Sequence, residues 1–177
     1  MWRNSNTDYG RVTKVGHLVG ALWVLGLFAL GLWMTSLDYY HPWYHRAPAV
    51  HKSLGALFLF FTLSRWLWRT MNPKPLLPLS LSRFERIAAV LLHTLFYPLM
   101  LMTALVGWLM AGAKGEAVSV FGWFSLPSLW AFNTDWAKNA HEILAWLLIS
   151  FVCLHVLAAL KHEFWDKKPL LARMFKW

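Results

Sequence analysis

Residues 141–155, HEILAWLLISFVCLH, set the architecture of the chain. Between the two histidines only Glu142 and Ser150 interrupt an apolar run. Fourteen residues are close to four helical turns, so the rings of His141 and His155 project from one face about 21 Å apart. That stripe continues at heptad spacing as His141, Leu148, His155 and His162. Two imidazoles at opposite depths of a lipid-spanning helix are costly to desolvate, which argues that each has a partner. The reading adopted is that each holds one haem iron and that other helices supply the opposite ligands.

Composition agrees with a membrane setting. Apolar residues make up 58% of the 177 residues and charged ones 14%, with 13 tryptophans. Soluble domains carry about 25% charge, so this chain lacks the polar surface to stay dispersed in water. The formal charge of +9 is spread between long apolar runs rather than along one stripe, which excludes nucleic acid as a partner. It fits membrane topology and anionic lipid instead. Cys153 is the single cysteine, so no intrachain disulfide forms, and without a C-x-x-C-H motif any haem is held non-covalently. The N-terminal apolar run is too long for a signal-peptide core and reads as a retained first span.

Four runs are long enough to cross a bilayer, over 15–37, 51–71, 86–112 and 139–162. The expected fold is an all-α integral membrane protein over 1–177, a bundle of four transmembrane helices with two haems stacked across the membrane. Thirteen of the 17 Lys and Arg residues fall before span one, around the link between spans two and three, and in the tail. The other side has Arg46, Lys52, Lys114 and Lys138. The positive-inside rule then makes both termini cytoplasmic. The link 72–82, NPKPLLPLSLS, reads as irregular. The loop 113–138 is apolar and aromatic without being a span. It reads as a re-entrant or interfacial cap: an aromatic-belt anchor, a lid over the outer cofactor, or a docking surface.

Helix faces supply the ligands. In span one His17 shares a face with Gly20, Val24 and Gly31, and Gly16 with Gly20 forms a G-x-x-x-G of the close-packing type. In span two His51, Gly55, Phe58, Thr62 and Arg65 align. By depth, His51 and His141 form an outer layer and His17 and His155 an inner one, giving two bis-imidazole sites. His93 lies at the inner depth on a face with Tyr97, Ala104 and Gly107; it competes with His17 as ligand or serves as a hydrogen-bonding group. His162 is either a solvated interfacial group or a proton-exchanging group at a quinone pocket. His41 and His45 read as solvated or pocket-lining. Arg65 and Arg69 are placed for inner-haem propionates, Arg46 and Lys52 for outer ones, although a topology role explains all four nearly as well.

The segments YGRVTKVGHLVGALW, FALGLWM, WYHRAPAVHKSLG, SVFGWF and LKHEFWDKKPLLARM resemble the bacterial cytochrome b561 family. That family is related to the b-type cytochrome subunits of nickel-iron hydrogenases and formate dehydrogenases. The resemblance covers nearly the whole chain and implies two non-covalent b haems, with ligand pairs His17–His155 and His51–His141, in the bacterial inner membrane. It also implies electron transfer between ubiquinone or another quinone and a second partner, such as superoxide or a periplasmic redox protein. Whether the chain is itself an oxidoreductase or a non-catalytic haem-bearing anchor subunit stays open at this level. A transition-metal transporter would need an acidic or thiol-rich path that these spans lack.

Overall fold

The computed structural model describes residues 1–78, 80–129 and 135–175. Four long helices dominate: α1 (Arg11–Thr35), α2 (Arg46–Thr70), α3 (Arg83–Gly112) and α4 (Asp135–Leu160). Each is long and apolar enough to cross a membrane. In lipid a helix satisfies its backbone polar groups within itself, which is why uninterrupted apolar runs adopt it. The helices overlap the expected spans but begin three to five residues earlier, because polar first turns such as Arg46–Ala47–Pro48 also join the helix. A proline there loses only a backbone donor that a first turn leaves unpaired anyway. α3 starts at a capping box, with the Ser82 hydroxyl accepting from Glu85 N–H and the Glu85 carboxylate accepting from Ser82 N–H.

The helices run up and down, and each packs on its sequence neighbours. α1 closes against α4 through a smaller contact. The buried centre is Val24, Phe58, Leu99, Met100 and Leu148, with Trp23, Phe61, Phe96 and Phe151 packed round it. Outward positions stay apolar, including Leu22, Ile143, Leu154 and Leu157. Apolar side chains left outside a packed bundle are what lipid contact requires.

The two ends differ. At one end the N-terminal arm, the 72–82 link and the tail are tied together: Leu76 N–H donates to the Asn6 carbonyl, and Arg173 donates to the carbonyls of Thr7 and Leu76. The opposite end carries a β-hairpin, β1 (Val118–Val120) and β2 (Phe124–Leu126), within the loop read from sequence as a re-entrant or interfacial cap. Its turn has Phe121 at φ 50° and Gly122 at φ 74°, the pairing that matches hairpin twist. Val120 is fully buried against α2 and α3 residues. The Ser53 hydroxyl of α2 donates to the Ser119 carbonyl and accepts from Phe121 N–H. Residues 130–134 of the loop, and Lys176 of the tail, lie outside the described residues.

α4 continues into a π-helical turn, Lys161–Trp165, and a short α5 (Ala172–Phe175) ends the described tail.

Candidate functional site

Each helix contributes three residues at heptad spacing to three levels of the bundle. The middle level is Val24, Phe58, Met100 and Leu148, all in the buried core. Towards the hairpin the same stripes give Gly31, His51, Gly107 and His141. Towards the termini they give His17, Arg65, His93 and His155. Seven-residue steps keep a stripe on one face of a gently crossing helix, so one packed layer holds two polar layers apart.

At the hairpin level the ring centres of His51 and His141 are 6.2 Å apart. His141 Nδ1 lies 2.9 Å from the Thr103 carbonyl, so that nitrogen carries the proton and Nε2 is left as a lone-pair donor. His51 Nδ1 is buried without a hydrogen-bond partner among the described residues. Both rings lean on glycines. A Cβ at Gly31 would lie 3.4 Å from His51 Cε1, and one at Gly107 would lie 2.9 Å from His141 Cε1. The histidines line a cleft with Lys52, Gly55, Thr103 and Trp108, bounded on the hairpin side by Val118 and Leu126. Its mostly apolar lining with a few convergent polar groups suits a cofactor. Among the residues placed at this end from sequence, Lys52 lines the cleft, whereas Arg46 stands at the start of α2 outside it.

At the terminal level His17 and His155 have ring centres 6.1 Å apart, and His93 lies 5.1 Å from His155. Two imidazoles that would hold one iron between them, with metal–nitrogen bonds of about 2.0 Å, would have ring centres about 6.3 Å apart. The His17–His155 and His51–His141 pairs match that separation, and His93–His155 is too close for it. The donor set of neutral imidazoles, one fixed by a backbone carbonyl, suits haem iron.

Arg65 fills the Gly16–Gly20 groove, where a Cβ on Gly20 would lie 2.6 Å from its guanidinium. The G-x-x-x-G therefore admits a side chain from α2 rather than a helix backbone. Arg65 sits over Phe61 and Tyr97, and among the described residues no carboxylate pairs with it. Arg69 donates to the His93 carbonyl at 3.1 Å and also covers Tyr97. His162 joins Glu85 and Asp166 at the terminal end of the bundle. His41 and His45 stay in the loop before α2, against Trp33 and against Tyr39 and Tyr44.

Sequence reasoning missed Thr103, Glu85 and Asp166. The heptad from His93 to Gly107 and the spacing K-H-x-x-x-D were the available signals.

Residues 8–177 match the family described as prokaryotic cytochrome b561. A protein of Escherichia coli (strain K12) named cytochrome b561 homolog 2 is 40% identical over 174 residues, covering 97% of this chain and 93% of that protein. With four membrane-spanning helices and a family match over nearly its whole length, the chain belongs to the prokaryotic cytochrome b561 family and is a multi-pass membrane cytochrome of the kind that binds b-type haem and transfers electrons.

Proposed function

We propose that the chain holds two non-covalent b haems, one between His51 and His141 and one between His17 and His155. In this reading it carries electrons across the bacterial inner membrane between the quinone pool and a partner on the far side, superoxide or a periplasmic redox protein. The observation that carries the reading is the pair of histidine separations, 6.2 and 6.1 Å, at two levels that share α4. Bound haem supplies one-electron chemistry, the iron alternating between ferric and ferrous states.

The protein's part is to hold, orient and shield. The Thr103 carbonyl fixes the His141 ring, and the glycines at 31 and 107 leave room beside the ligands. Arg65, half-buried and with no carboxylate partner among the described residues, is the partner for an anionic propionate at the inner level, and Lys52 has that role at the outer one. Val118 and Leu126 give the outer site an apolar wall on the hairpin side. The terminal end lies on the cytoplasmic side, where 13 of the 17 basic residues gather. Quinone meets the chain there, beside His162, which exchanges protons with water.

A reduced-minus-oxidised spectrum with haem counted per chain tests this, with two b haems expected. Absence of b-type absorbance in a haem-supplied preparation overturns it. His17→Ala should remove six-coordination from one haem while His93→Ala keeps both; the reverse pattern would exchange their roles. A second reading, a haem-bearing anchor for a soluble redox partner, is favoured by the hairpin tip, where Trp123 is 76% exposed. It predicts a stoichiometric co-purifying partner and no turnover by the chain alone.

A further inference from the structure

The last turn of α4 is not α-helical. Over Lys161–Trp165 it widens to a π turn, closed by Asp166 N–H donating to the Lys161 carbonyl at 3.0 Å. The extra residue swings the rest of the tail by about 100° round the helix axis, and such turns recur at functional sites. Lys168 N–H then donates to the His162 carbonyl at 2.8 Å, with Lys167 at φ 51°. The outcome is a carboxylate turned back on its own helix: Asp166 Oδ2 lies 2.7 Å from His162 Nδ1 and 2.7 Å from Lys161 Nζ.

A second carboxylate arrives from α3. Glu85 Oε1 is 3.8 Å from His162 Nδ1 and 4.0 Å from Lys161 Nζ, and Oε2 is 3.3 Å from Lys168 Nζ. Glu85 also closes the capping box of α3, so its position is set by that helix start. Among the described residues, the charges facing His162 are thus Asp166 and Lys161 of its own segment, Glu85 of α3 and, through Glu85, Lys168 of the tail. The side chains of His162, Asp166 and Glu85 are 13%, 17% and 22% exposed, shielded yet within reach of water. The three donor groups are close enough for a divalent ion. The two lysine ammoniums already balance both carboxylates, so the cluster reads as an ion-pair network.

We infer that Asp166 is a positioning residue for proton exchange between His162 and quinone, with Glu85 as a supporting carboxylate; this rests on the quinone reading above. A carboxylate at Nδ1 holds the proton on that nitrogen and turns Nε2 towards the substrate. Quinone plus two electrons from b-type haem plus two protons gives quinol. With His162 protonated on both ring nitrogens, the Nε2–H bond breaks as one quinol O–H forms while Nδ1–H stays bonded to Asp166; the ring regains its Nε2 proton from water, and the second quinol proton comes from water. Lys161 Nζ, then His162, hold the Asp166 carboxyl below the usual carboxylate range, so it stays ionised through neutral pH.

The test uses haem-loaded protein with ¹⁵N-labelled histidine, read by NMR, and quinone reduction by the reduced protein with decylubiquinone. Asp166→Asn should move the His162 ring away from the Nδ1–H tautomer and lower kcat for quinone reduction about tenfold. KM and haem spectrum should hold, and Asp166→Glu should restore both tautomer and kcat. An unchanged His162 tautomer and kcat in Asp166→Asn overturn the inference while quinone turnover stands. No quinone turnover by wild type overturns the quinone reading, and the inference with it. Should Asp166→Asn fail to assemble, Glu85→Gln keeps the capping box and should move the His162 tautomer and kcat the same way by less; no change in either overturns the inference.

Discussion

Gly107 has no room for a methyl group. A Cβ there would meet His141 at 2.9 Å from Cε1 and 3.1 Å from Nδ1, while Thr103 already holds that ring from the same helix. Gly107→Ala should therefore displace His141, cost about 1–3 kcal/mol and, on the proposed two-haem reading, lower bound b haem from two towards one per chain. Gly26→Ala is the control, since nothing lies within 4 Å of the added carbon and both haems should remain. Haem quantitation per chain separates the two. The same scale explains why three histidines near one level are not equivalent. His93 stands 5.1 Å from His155, ring centre to ring centre, closer than two imidazoles sharing one iron. Its own carbonyl is tied to Arg69.

At the scale of elements, the hairpin is held to α2 by one hydroxyl. Ser53→Ala removes both the bond to the Ser119 carbonyl and the one from Phe121 N–H, at a cost of about 1–2 kcal/mol. Amide exchange over residues 118–126 should then speed by roughly 5- to 30-fold. Unchanged exchange would mean that Val120, packed against Ala56, holds the hairpin unaided. α3 offers a parallel case: Ser82→Ala removes the cap and should lower stability by about 1 kcal/mol, read as a lower melting midpoint in detergent. The π turn has a pH dependence of definite sign. Because the Asp166 carboxyl is held below its ordinary range, its contribution is complete above that range and is lost as pH falls through the folded value. Protection of the Asp166 and Lys168 amides, corrected for the intrinsic slowing of exchange in acid, should accordingly fall on acidification, and Asp166→Asn should abolish the dependence.

For the whole molecule, orientation is the property that functional direction depends on. Cysteines introduced at Lys167 and at Trp123 lie at opposite ends of the bundle, 85% exposed Trp165 flanking the first and Trp123 itself 76% exposed. With both termini cytoplasmic, a membrane-impermeant thiol reagent should label the Trp123 position in intact cells and the Lys167 position only after lysis; the reverse would invert the proposed electron path.

The four spans and the two histidine levels were legible in the sequence because a helix has a fixed rise and a fixed angular step. Residues 141 and 155 must share a face at any burial, and apolar runs of this length have no other stable form in lipid. The basic residues likewise divide between two ends by counting alone. Contacts between elements distant in the chain were set by packing instead. Arg65, rather than a helix backbone, fills the Gly16–Gly20 groove. The hairpin within 113–138 takes its place from Ser53, more than sixty residues away. His17 and His93 have equal depth in the sequence, and packing alone sets one at 6.1 Å and the other at 5.1 Å from His155. Asp166 reaches His162 only because one π turn re-aims the chain. Periodicity fixes depth and face along one helix; the separation between side chains on different helices depends on how those helices pack.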